Sequence, residues 1–234
     1  MIPARGGSKR IPRKNIREFA GKPMIAHSIG CAARSGLFDR IIVSTDDEEI
    51  RRIAQEFGAA APFLRPAALA DDHAGTAAVM AHAVSWLQRD DTQPSAVCCI
   101  YATAPFIRAE DLVSGLELLE TGPWKFVFAA TDFPASVERA FRKRPDGRLE
   151  MLFPEQLDTR SQDLDAVFHD AAQFYWGRAE AWVADARIFG ADSTIVQVPR
   201  WRVQDIDTED DWCRAEAMLA YLDAGASRAG GGRA

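Results

Sequence analysis

The 234-residue sequence is poor in cysteine and histidine, with four of each. Cys31, Cys98, Cys99 and Cys213 show no Cys-x-x-Cys spacing, so we expect reduced thiols and no disulfide framework. Cys98 and Cys99 lie within an apolar run, which favours a packed strand over a chemical role. The histidines lack the i, i+4 spacing typical of a helical zinc site. These absences argue against a zinc site and a disulfide-stapled fold.

Long apolar runs are also absent. No segment approaches the roughly 20 consecutive apolar residues that span a bilayer, and no signal-peptide pattern is found. The formal net charge of −6 argues against a general binder of nucleic acid or of anionic membranes. We therefore expect a cytoplasmic protein whose partners include neither nucleic acid nor membrane.

One basic block interrupts this acidic background. Between Arg5 and Arg17 there are six cations and no acid, and residues 3–15 read Pro-Ala-Arg-Gly-Gly-Ser-Lys-Arg-Ile-Pro-Arg-Lys-Asn. Adjacent glycines let backbone N–H groups converge on one point, and Arg and Lys add charge-assisted hydrogen bonds to an anion. The block predicts a phosphate-binding loop for a small polyanion, although a solvated surface loop is the alternative interpretation.

Two common phosphate motifs do not fit. A Walker A loop is excluded because Gly21-Lys22 is followed by Pro23 instead of Ser or Thr. The dinucleotide Gly-x-Gly-x-x-Gly turn is excluded because Gly6 and Gly7 are adjacent and no third glycine follows at the required interval.

Strand and helix patterns alternate along the first 130 residues. Short apolar runs at 41–43, 62–64, 97–101 and 126–130 predict strands, and amphipathic periods predict helices from Pro23, from Asp46 or Asp47, from Thr76 and around Leu112. Such alternation predicts an α/β fold with a mostly parallel sheet and helices on both faces, and ligands bind outside the carboxyl ends of its strands.

The alternation fails between Asp132 and Asp165, where we expect a functional or docked arm or, alternatively, a solvent-exposed insertion. Regular structure is predicted to resume at 173–176, with a short helix at 179–184, a strand at 194–198 and a last helix capped by Thr208. We expect one domain over residues 1–223 and a disordered tail over 224–234.

A second chemical feature is the run Asp205-Ile206-Asp207. In extended backbone, residues two apart point the same way, so both carboxylates can converge on one cation. Few hard oxygen ligands, with room for substrate phosphates, suit Mg²⁺. The alternative is a pair of ordinary turn and pre-cap acids. With a phosphate loop elsewhere in the chain, we favour a metal site that assists phosphoryl-type transfer.

The residue pattern resembles the CMP-sugar synthetases, cytidylyltransferases that activate nine-carbon ulosonic acids with CTP, and is most similar to the pseudaminic acid members. The resemblance rests on the basic loop and on the runs Ser-Thr-Asp-Asp-Glu-Glu-Ile (44–50), Phe-Leu-Arg-Pro (63–66), Tyr-Ala-Thr-Ala-Pro-Phe (101–106), His-Asp-Ala-Ala-Gln-Phe-Tyr-Trp-Gly (169–177) and Asp-Ile-Asp-Thr-Glu-Asp (205–210). It implies a three-layer α/β/α nucleotide-diphospho-sugar transferase fold. It also implies a homodimer in which the arm reaches the neighbour's site.

The resemblance also implies roles for individual residues. It gives Arg5, Lys14 and Asp207 to catalysis, with Lys14 stabilising the transition state, and Asp205 and Asp207 to Mg²⁺. CTP contacts are implied for Arg5, Ser8, Lys9, Lys14, Asn15 and Arg65, with Arg65 reading the base beside backbone groups of Gly75 and Thr76.

The sugar-binding residues implied are Tyr101, Thr103, Arg160, His169, Gln173 and Tyr175. Arg160 is a partner for the sugar carboxylate or, equally, a solvated arm residue. Pseudaminic members tend to have glycine where this chain has Ala172, which leaves the identity of the acid open.

Several rival functions follow from the same residues. Synthetases for N-acetylneuraminic, legionaminic or deoxyoctulosonic acid share the reaction. A metal-dependent glycosyltransferase also uses an Asp-x-Asp site, although usually mid-chain and without the basic start. A non-catalytic nucleotide sensor is the third class.

Overall fold

The computed structural model describes residues 1–71, 74–90, 93–184 and 186–230, with only the backbone described over 223–230. Its strands are β1 (Ile2–Pro3), β2 (Glu18–Phe19), β3 (Lys22–Pro23), β4 (Val43–Ser44), β5 (Ala96–Ile100), β6 (Phe126–Asp132), β7 (Phe141–Lys143), β8 (Leu149–Met151), β9 (Phe168–Arg178) and β10 (Ser193–Gln197). Its helices are α1 (Met24–Ser35), α2 (Glu48–Glu56), α3 (Thr76–Arg89), α4 (Ala109–Thr121), α5 (Ala179–Val183) and α6 (Glu209–Gly230).

A central sheet organises the molecule. Strands β10, β6, β9 and β5 are hydrogen-bonded in that order, and β1 pairs with β4 in parallel. Hydrogen bonds from the Met1 amino group to the Cys98 carbonyl (2.8 Å) and from the Ile100 N–H to the Met1 carbonyl (2.9 Å) join β1 to β5. The strands therefore continue across the molecule from β4 to β10.

Strand β9 runs against its neighbours. It is antiparallel to both β5 and β6, whereas β6 and β10 are parallel. It begins at Phe168, well before the predicted start at 173, and its register with β6 shifts between Phe128 and Ala130. At this irregularity Ala172 has a positive φ of 52°. The sheet is mostly parallel, as predicted, with one antiparallel strand inserted.

Side-chain alternation along β5 gives the sheet two apolar faces. Cys98 and Ile100 pack with α1, α2 and α4 in one cluster, whereas Val97 and Cys99 pack with α3 and α5 in another. Burial raises the pKa of the Cys99 thiol to about 12, in keeping with a packed cysteine, and all four cysteines are free. The predicted three-layer arrangement is confirmed.

Most of the helices predicted from the sequence are present in the structure. Asp47 caps α2 by accepting hydrogen bonds from the N–H groups of Glu49 and Ile50, both at 2.9 Å. Phe57, which the helical period places inward, lies after the last turn and is 41% exposed. The predicted strand at 62–64 reduces to one isolated bridge between Thr45 and Leu64, with the Arg65 N–H donating to the Thr45 carbonyl at 2.7 Å.

The region from 133 to 167 stands apart from the sheet. It contains a small antiparallel hairpin of β7 and β8 and several short 3₁₀ turns. Many of its large apolar side chains are exposed, including Phe141 at 61% and Leu149 at 68%. This segment overlaps residues 132–165, for which the sequence predicts an arm.

The last helix continues to Gly230, past the point at which the sequence predicts a disordered tail over 224–234. Residues 231–234 of that tail lie outside the described residues. Within the described part of the chain, no helix combines the length and apolar character needed to cross a membrane.

Candidate active site

A cavity of about 570 Å³ opens at the carboxyl ends of β1 and β5, where the fold predicts a ligand site. The basic loop forms one wall, and the start of α3, the residues after β5 and the turn before α6 form the others. Its lining consists of Pro3, Arg5, Ser8, Lys9, Arg10, Lys14, Asn15, Arg65, Leu69, Asp71, Ala74, Thr76, Val79, Tyr101, Ala102, Thr103 and Asp207.

The basic loop is held in place by hydrogen bonds between its backbone groups and nearby side chains. The Gly6 N–H donates to Oδ1 of Asp46 at 2.9 Å, and Nδ2 of Asn15 donates to the Arg5 carbonyl at 2.9 Å. A Cβ at Gly6 would lie 2.7 Å from Oδ2 of Asp47, so only glycine fits there. Asn15 is buried, and its amide shapes the loop while it lines the cavity.

The six cations of the loop divide into two groups. Arg13 pairs with the carboxylates of Asp47 and Glu49, and Arg17 pairs with Glu209 at 2.6 Å. The hydrogen bond from Arg13 lowers the pKa of Asp47 below its usual value. These two arginines anchor the loop to the protein, whereas Arg5, Lys9, Arg10 and Lys14 line the cavity.

Asp207 meets the loop across the cavity. Lys14 Nζ lies 3.2 Å from Oδ1 of Asp207 and donates to the Ile206 carbonyl at 2.6 Å. Nη2 of Arg10 lies 2.9 Å from the same carboxylate oxygen. The predicted phosphate loop and one predicted metal ligand therefore face the same space. Sequence reasoning missed Arg10, although it belongs to the basic block.

The packing of α6 explains why Asp207 lies beside the basic loop. Trp212 on α6 is buried and contacts Phe19 edge-to-face at 5.4 Å, while the guanidinium of Arg17 lies 4.4 Å from the Trp212 ring centroid. Ile206 is fully buried in the same cluster as Ile11. The apolar residue between the two aspartates is thus the anchor that fixes their position.

Asp205 is placed differently from Asp207. It does not line the cavity, and desolvation of its carboxyl group, followed by the charge of Asp207, raises its pKa. In the described ranges no group of three or more His, Cys, Asp or Glu side chains is arranged to hold a metal ion. Two carboxylates whose charges disfavour each other nevertheless fit a divalent cation that takes its other ligands from phosphate and water.

Arg65 forms the opposite end of the cavity. It is 6% exposed, and it donates to the Ser44 hydroxyl and carbonyl and to the Leu69 carbonyl. Desolvation by burial lowers its pKa, and the charge of Asp46 opposes this shift only in part. An arginine has five N–H protons, so those not used here remain for a ligand.

The remaining predicted base-binding and sugar-binding residues split between cavity and core. Thr76, the first residue of α3, lines the cavity beside Tyr101 and Thr103, whereas Gly75 does not, although its neighbour Ala74 does. The Thr76 hydroxyl lies 3.0 Å from the Tyr101 hydroxyl. The free N–H groups in the first turn of α3 provide the backbone donors that the sequence predicts near this position.

Four predicted sugar-binding residues do not line the cavity. Tyr175 is 1% exposed within an aromatic core, and Gln173 is 3% exposed with its Nε2 donating to the Arg202 carbonyl at 2.6 Å. His169 packs edge-to-face on Phe133. Arg160 is exposed on the arm. Tyr175 and Gln173 are therefore packed against the sheet's covering layers and lie away from the wall of this cavity.

The family model described as "Cytidylyltransferase" matches residues 1–162. The chain belongs to the cytidylyltransferase family. This cytidylyltransferase is 44% identical over 211 residues to a pseudaminic acid cytidylyltransferase of Campylobacter jejuni, covering 90% of the chain and 91% of the relative. It is 30% identical to a CMP-N,N'-diacetyllegionaminic acid synthase of Legionella pneumophila, covering 94% of each.

Solved structures agree on the fold of the cytidylyltransferase. A CMP:2-keto-3-deoxy-manno-octonic acid synthetase complexed with CTP matches with a TM-score of 0.68 at 18% identity, covering 94% of this chain and 97% of that one. A 4-diphosphocytidyl-2C-methyl-D-erythritol synthase of Anaerococcus prevotii matches with a TM-score of 0.65 at 16% identity, covering 94% and 96%. The expected nucleotide-diphospho-sugar transferase fold is confirmed.

Proposed function

We propose that this cytidylyltransferase transfers CMP from CTP to the anomeric hydroxyl of a nine-carbon ulosonic acid, with pseudaminic acid as the preferred acid and Mg²⁺ as the cofactor. The observation that carries the proposal is the meeting of Lys14, on the basic loop, with Asp207 across one cavity. The identity to pseudaminic acid cytidylyltransferases supports the choice of acid.

The proposed reaction depends on stabilisation of developing charge and involves no covalent intermediate with the protein. The anomeric hydroxyl releases its proton to water as its oxygen forms a bond to the α-phosphorus. The bond from that phosphorus to the oxygen it shares with the β-phosphorus breaks, and pyrophosphate leaves with that oxygen. Negative charge develops on the α-phosphoryl and pyrophosphate oxygens, and preorganised cations lower its energy. Arg5, Lys9, Arg10 and Lys14 line the cavity. In the proposed reaction the first three would bind the triphosphate, and Lys14 would bind the reacting phosphoryl group.

The ion pair of Lys14 with Asp207 positions its ammonium group before substrate arrives. Asp205 and Asp207 are the residues that would hold Mg²⁺. The ion would supply Lewis-acid neutralisation of phosphate charge. Arg65 and the start of α3 are placed for the cytosine ring.

The arm supports a homodimeric enzyme. It exposes more large apolar side chains than a solvated insertion would carry. These are Phe133, Phe141, Leu149, Leu152, Leu157 and Val167. In such a dimer Arg160, which is remote from its own cavity, would serve the partner's sugar site. We place the enzyme in the cytoplasm, where nucleoside triphosphates are available.

The direct experiment supplies CTP, Mg²⁺ and one acid at a time and follows pyrophosphate release. Pseudaminic acid should support turnover with the highest kcat/KM, ahead of N-acetylneuraminic, legionaminic and deoxyoctulosonic acids. Turnover with one of these acids and none with pseudaminic acid would reject pseudaminic acid as the substrate. Absence of pyrophosphate with every acid would overturn the proposed reaction itself.

A further inference from the structure

The turn that carries Asp205 and Asp207 is organised by one carboxylate, that of Asp211 in the first turn of α6. Oδ2 of Asp211 accepts hydrogen bonds from the Asp207 N–H at 3.2 Å, from the Thr208 N–H at 2.9 Å and from the Thr208 hydroxyl at 2.8 Å. Oδ1 accepts from Nε2 of Gln204 at 3.2 Å, and the same Nε2 donates to the Asp205 carbonyl at 2.8 Å. Both oxygens of Asp211 therefore hold residues 204–208 together.

Part of this arrangement is a helix cap. The Asp211 N–H donates to the Thr208 hydroxyl at 3.2 Å, and the Thr208 N–H donates back to the Asp211 carboxylate, which is the reciprocal pattern of a capping box. A capping box needs only these two residues. The hydrogen bonds of Asp211 to the Asp207 N–H and to Gln204 lie outside it, so Asp211 holds more of the chain than the end of the helix.

The peptide group between Ile206 and Asp207 is fixed at both of its polar ends. Its oxygen accepts from Lys14 Nζ at 2.6 Å, and its N–H donates to Asp211. The Ile206 side chain is fully buried, which holds the preceding residue in place. Since a peptide group is planar, fixing both ends sets the direction in which the Asp207 side chain leaves the backbone. Asp207 lines the cavity, whereas Asp211 does not.

We propose that Asp211 is a positioning residue, which directs the Asp207 carboxylate into the cavity by holding the peptide group between Ile206 and Asp207. This rests on the proposed role of Asp207 in binding Mg²⁺, and it adds a residue outside the cavity on which that role depends. A ligating carboxylate must be held within about 0.5 Å of its productive position. Loss of the residue that orients it therefore weakens the metal site without removing a ligand.

Three substitutions separate this role from helix capping. Asp211→Ala removes every hydrogen bond of the carboxylate. Asp211→Asn keeps an oxygen for the Asp207 and Thr208 N–H groups, and its amide nitrogen can donate to Gln204 once the Gln204 amide turns its oxygen toward it. Thr208→Ala removes the hydroxyl from the capping box but leaves the hydrogen bond from the Asp207 N–H to Asp211.

The test titrates metal-free CTP, and separately the Mn²⁺ complex of CTP, into the full chain by calorimetry without an acid substrate. Wild-type protein should bind the Mn²⁺ complex more tightly than metal-free CTP. Asp211→Ala should weaken binding of the Mn²⁺ complex about tenfold and lower kcat by a similar factor. Its affinity for metal-free CTP should change little, because the cations of the basic loop remain. Asp211→Asn and Thr208→Ala should stay close to wild type in both affinities.

Two controls account for charge and for stability. Asp210→Ala removes the neighbouring exposed carboxylate and should leave the affinities and kcat unchanged. Ala215→Gly lowers Tm, because Ala215 is buried in α6 in the apolar cluster of Trp212, but it touches no hydrogen bond of the turn. It should leave both affinities at the wild-type values. If Asp211→Ala does not fold, Asp211→Ser replaces it, since the serine oxygen is one bond closer to the backbone.

Equal weakening of the Mn²⁺ complex in Thr208→Ala and Asp211→Ala would show that Asp211 only caps the helix, and would overturn the inference. Wild-type affinity for the Mn²⁺ complex in folded Asp211→Ala or Asp211→Ser would also overturn it. Wild-type protein that prefers the Mn²⁺ complex but releases no pyrophosphate with any acid would reject the proposed reaction, and the affinities would still decide the role of Asp211. Wild-type protein with no preference for the Mn²⁺ complex would reject both the metal site and the inference.

Discussion

Lys14 and Asp207 are separated by 193 positions in the sequence, yet Lys14 Nζ lies 3.2 Å from Oδ1 of Asp207. One belongs to the loop that follows β1, and the other precedes α6, so the ion pair ties the two ends of the domain at the cavity. It gives each residue a structural task in addition to the ligand role that we propose for it. The lysine is held in place by the aspartate, and the aspartate by the lysine and Arg10.

Asp207→Asn is expected to lower kcat by about a hundredfold or more, because the amide neither neutralises Lys14 nor serves as a strong ligand for a hard cation. Affinity for CTP measured without metal should change little. The control is Asp210→Asn, an exposed carboxylate in the first turn of α6. Near wild-type kcat in Asp207→Asn, measured by pyrophosphate release, would contradict the role assigned to Asp207.

Gly6→Ala and Gly7→Ala form a matched pair in the phosphate loop. The new Cβ at Gly6 meets Asp47 Oδ2 at 2.7 Å, and Asp47 cannot yield easily because it caps α2 and pairs with Arg13. We expect Gly6→Ala to raise KM for CTP about tenfold and to lower stability by about 1 to 3 kcal/mol. A Cβ at Gly7 meets nothing within 4 Å, so Gly7→Ala should change stability by less than about 0.5 kcal/mol. Identical behaviour of the two variants would refute the steric argument.

Acid should selectively weaken the anchor between Asp47 and Arg13. The hydrogen bond from Arg13 lowers the folded-state pKa of Asp47. The Asp47 charge therefore contributes fully to the free energy of unfolding above the unfolded pKa of about 3.9, and this contribution is lost as pH falls through the lower folded value. Asp47→Asn keeps an oxygen for the helix cap but loses the charge, so it should cost about 1 to 2 kcal/mol at pH 7.

That difference between wild type and Asp47→Asn, taken from urea unfolding, should shrink steadily below about pH 4. The exposed Asp39, changed to Asn, provides the comparison. A difference that stays constant down to pH 2 would show that the charge of Asp47 does not stabilise the fold.

Local patterns in the sequence predict the helices well, for a physical reason. Each helix needs one apolar face at a period of 3.6 and a start signal, and both are carried by neighbouring residues, as in α2 with Asp47 as its cap. The carboxyl ends of strands then indicate where a ligand binds. The basic block and the Asp-Ile-Asp run predict Arg5, Lys14 and Asp207, and the family resemblance implies Arg65; all four line one cavity.

Strand β9 shows where such reasoning fails. Its apolar run Phe-Tyr-Trp at 174–176 indicates a strand, but nothing local reveals that the strand lies antiparallel between β5 and β6, because direction depends on partners distant in sequence. Tyr175 lies in the core, and a hydroxyl on an aromatic ring gives no sign of whether it binds substrate or Asp170. The hydrogen-bonding role of Asp170 depends on the irregular turn at Ala172, which is likewise a tertiary feature.

Leu149→Asp is expected to weaken the proposed dimer. Leu149 is 68% exposed on β8 of the arm, and a charge there would have to be desolvated in an interface with a second copy. Analytical ultracentrifugation should show a dimer for wild type and a shift of at least about tenfold in the dissociation constant for the variant. The control is Tyr221→Asp on α6, an equally exposed residue outside the arm at 74%. A wild-type monomer, or equal effects of the two substitutions, would contradict arm-mediated dimerisation.

Ala172→Gly and Ala171→Gly should change stability in opposite directions. Ala172 has φ of 52°, a region in which a Cβ costs roughly 1 to 2 kcal/mol, and glycine removes this cost while adding about 0.5 to 1 kcal/mol of backbone entropy loss. Ala172→Gly should therefore raise the free energy of unfolding by up to about 1 kcal/mol. Ala171 is buried beside it without a positive φ, so glycine there only loses packing and gains entropy cost, and should lower stability by about 1 kcal/mol. If urea unfolding showed both variants destabilised equally, the positive φ of Ala172 would not be a source of strain in the turn of β9.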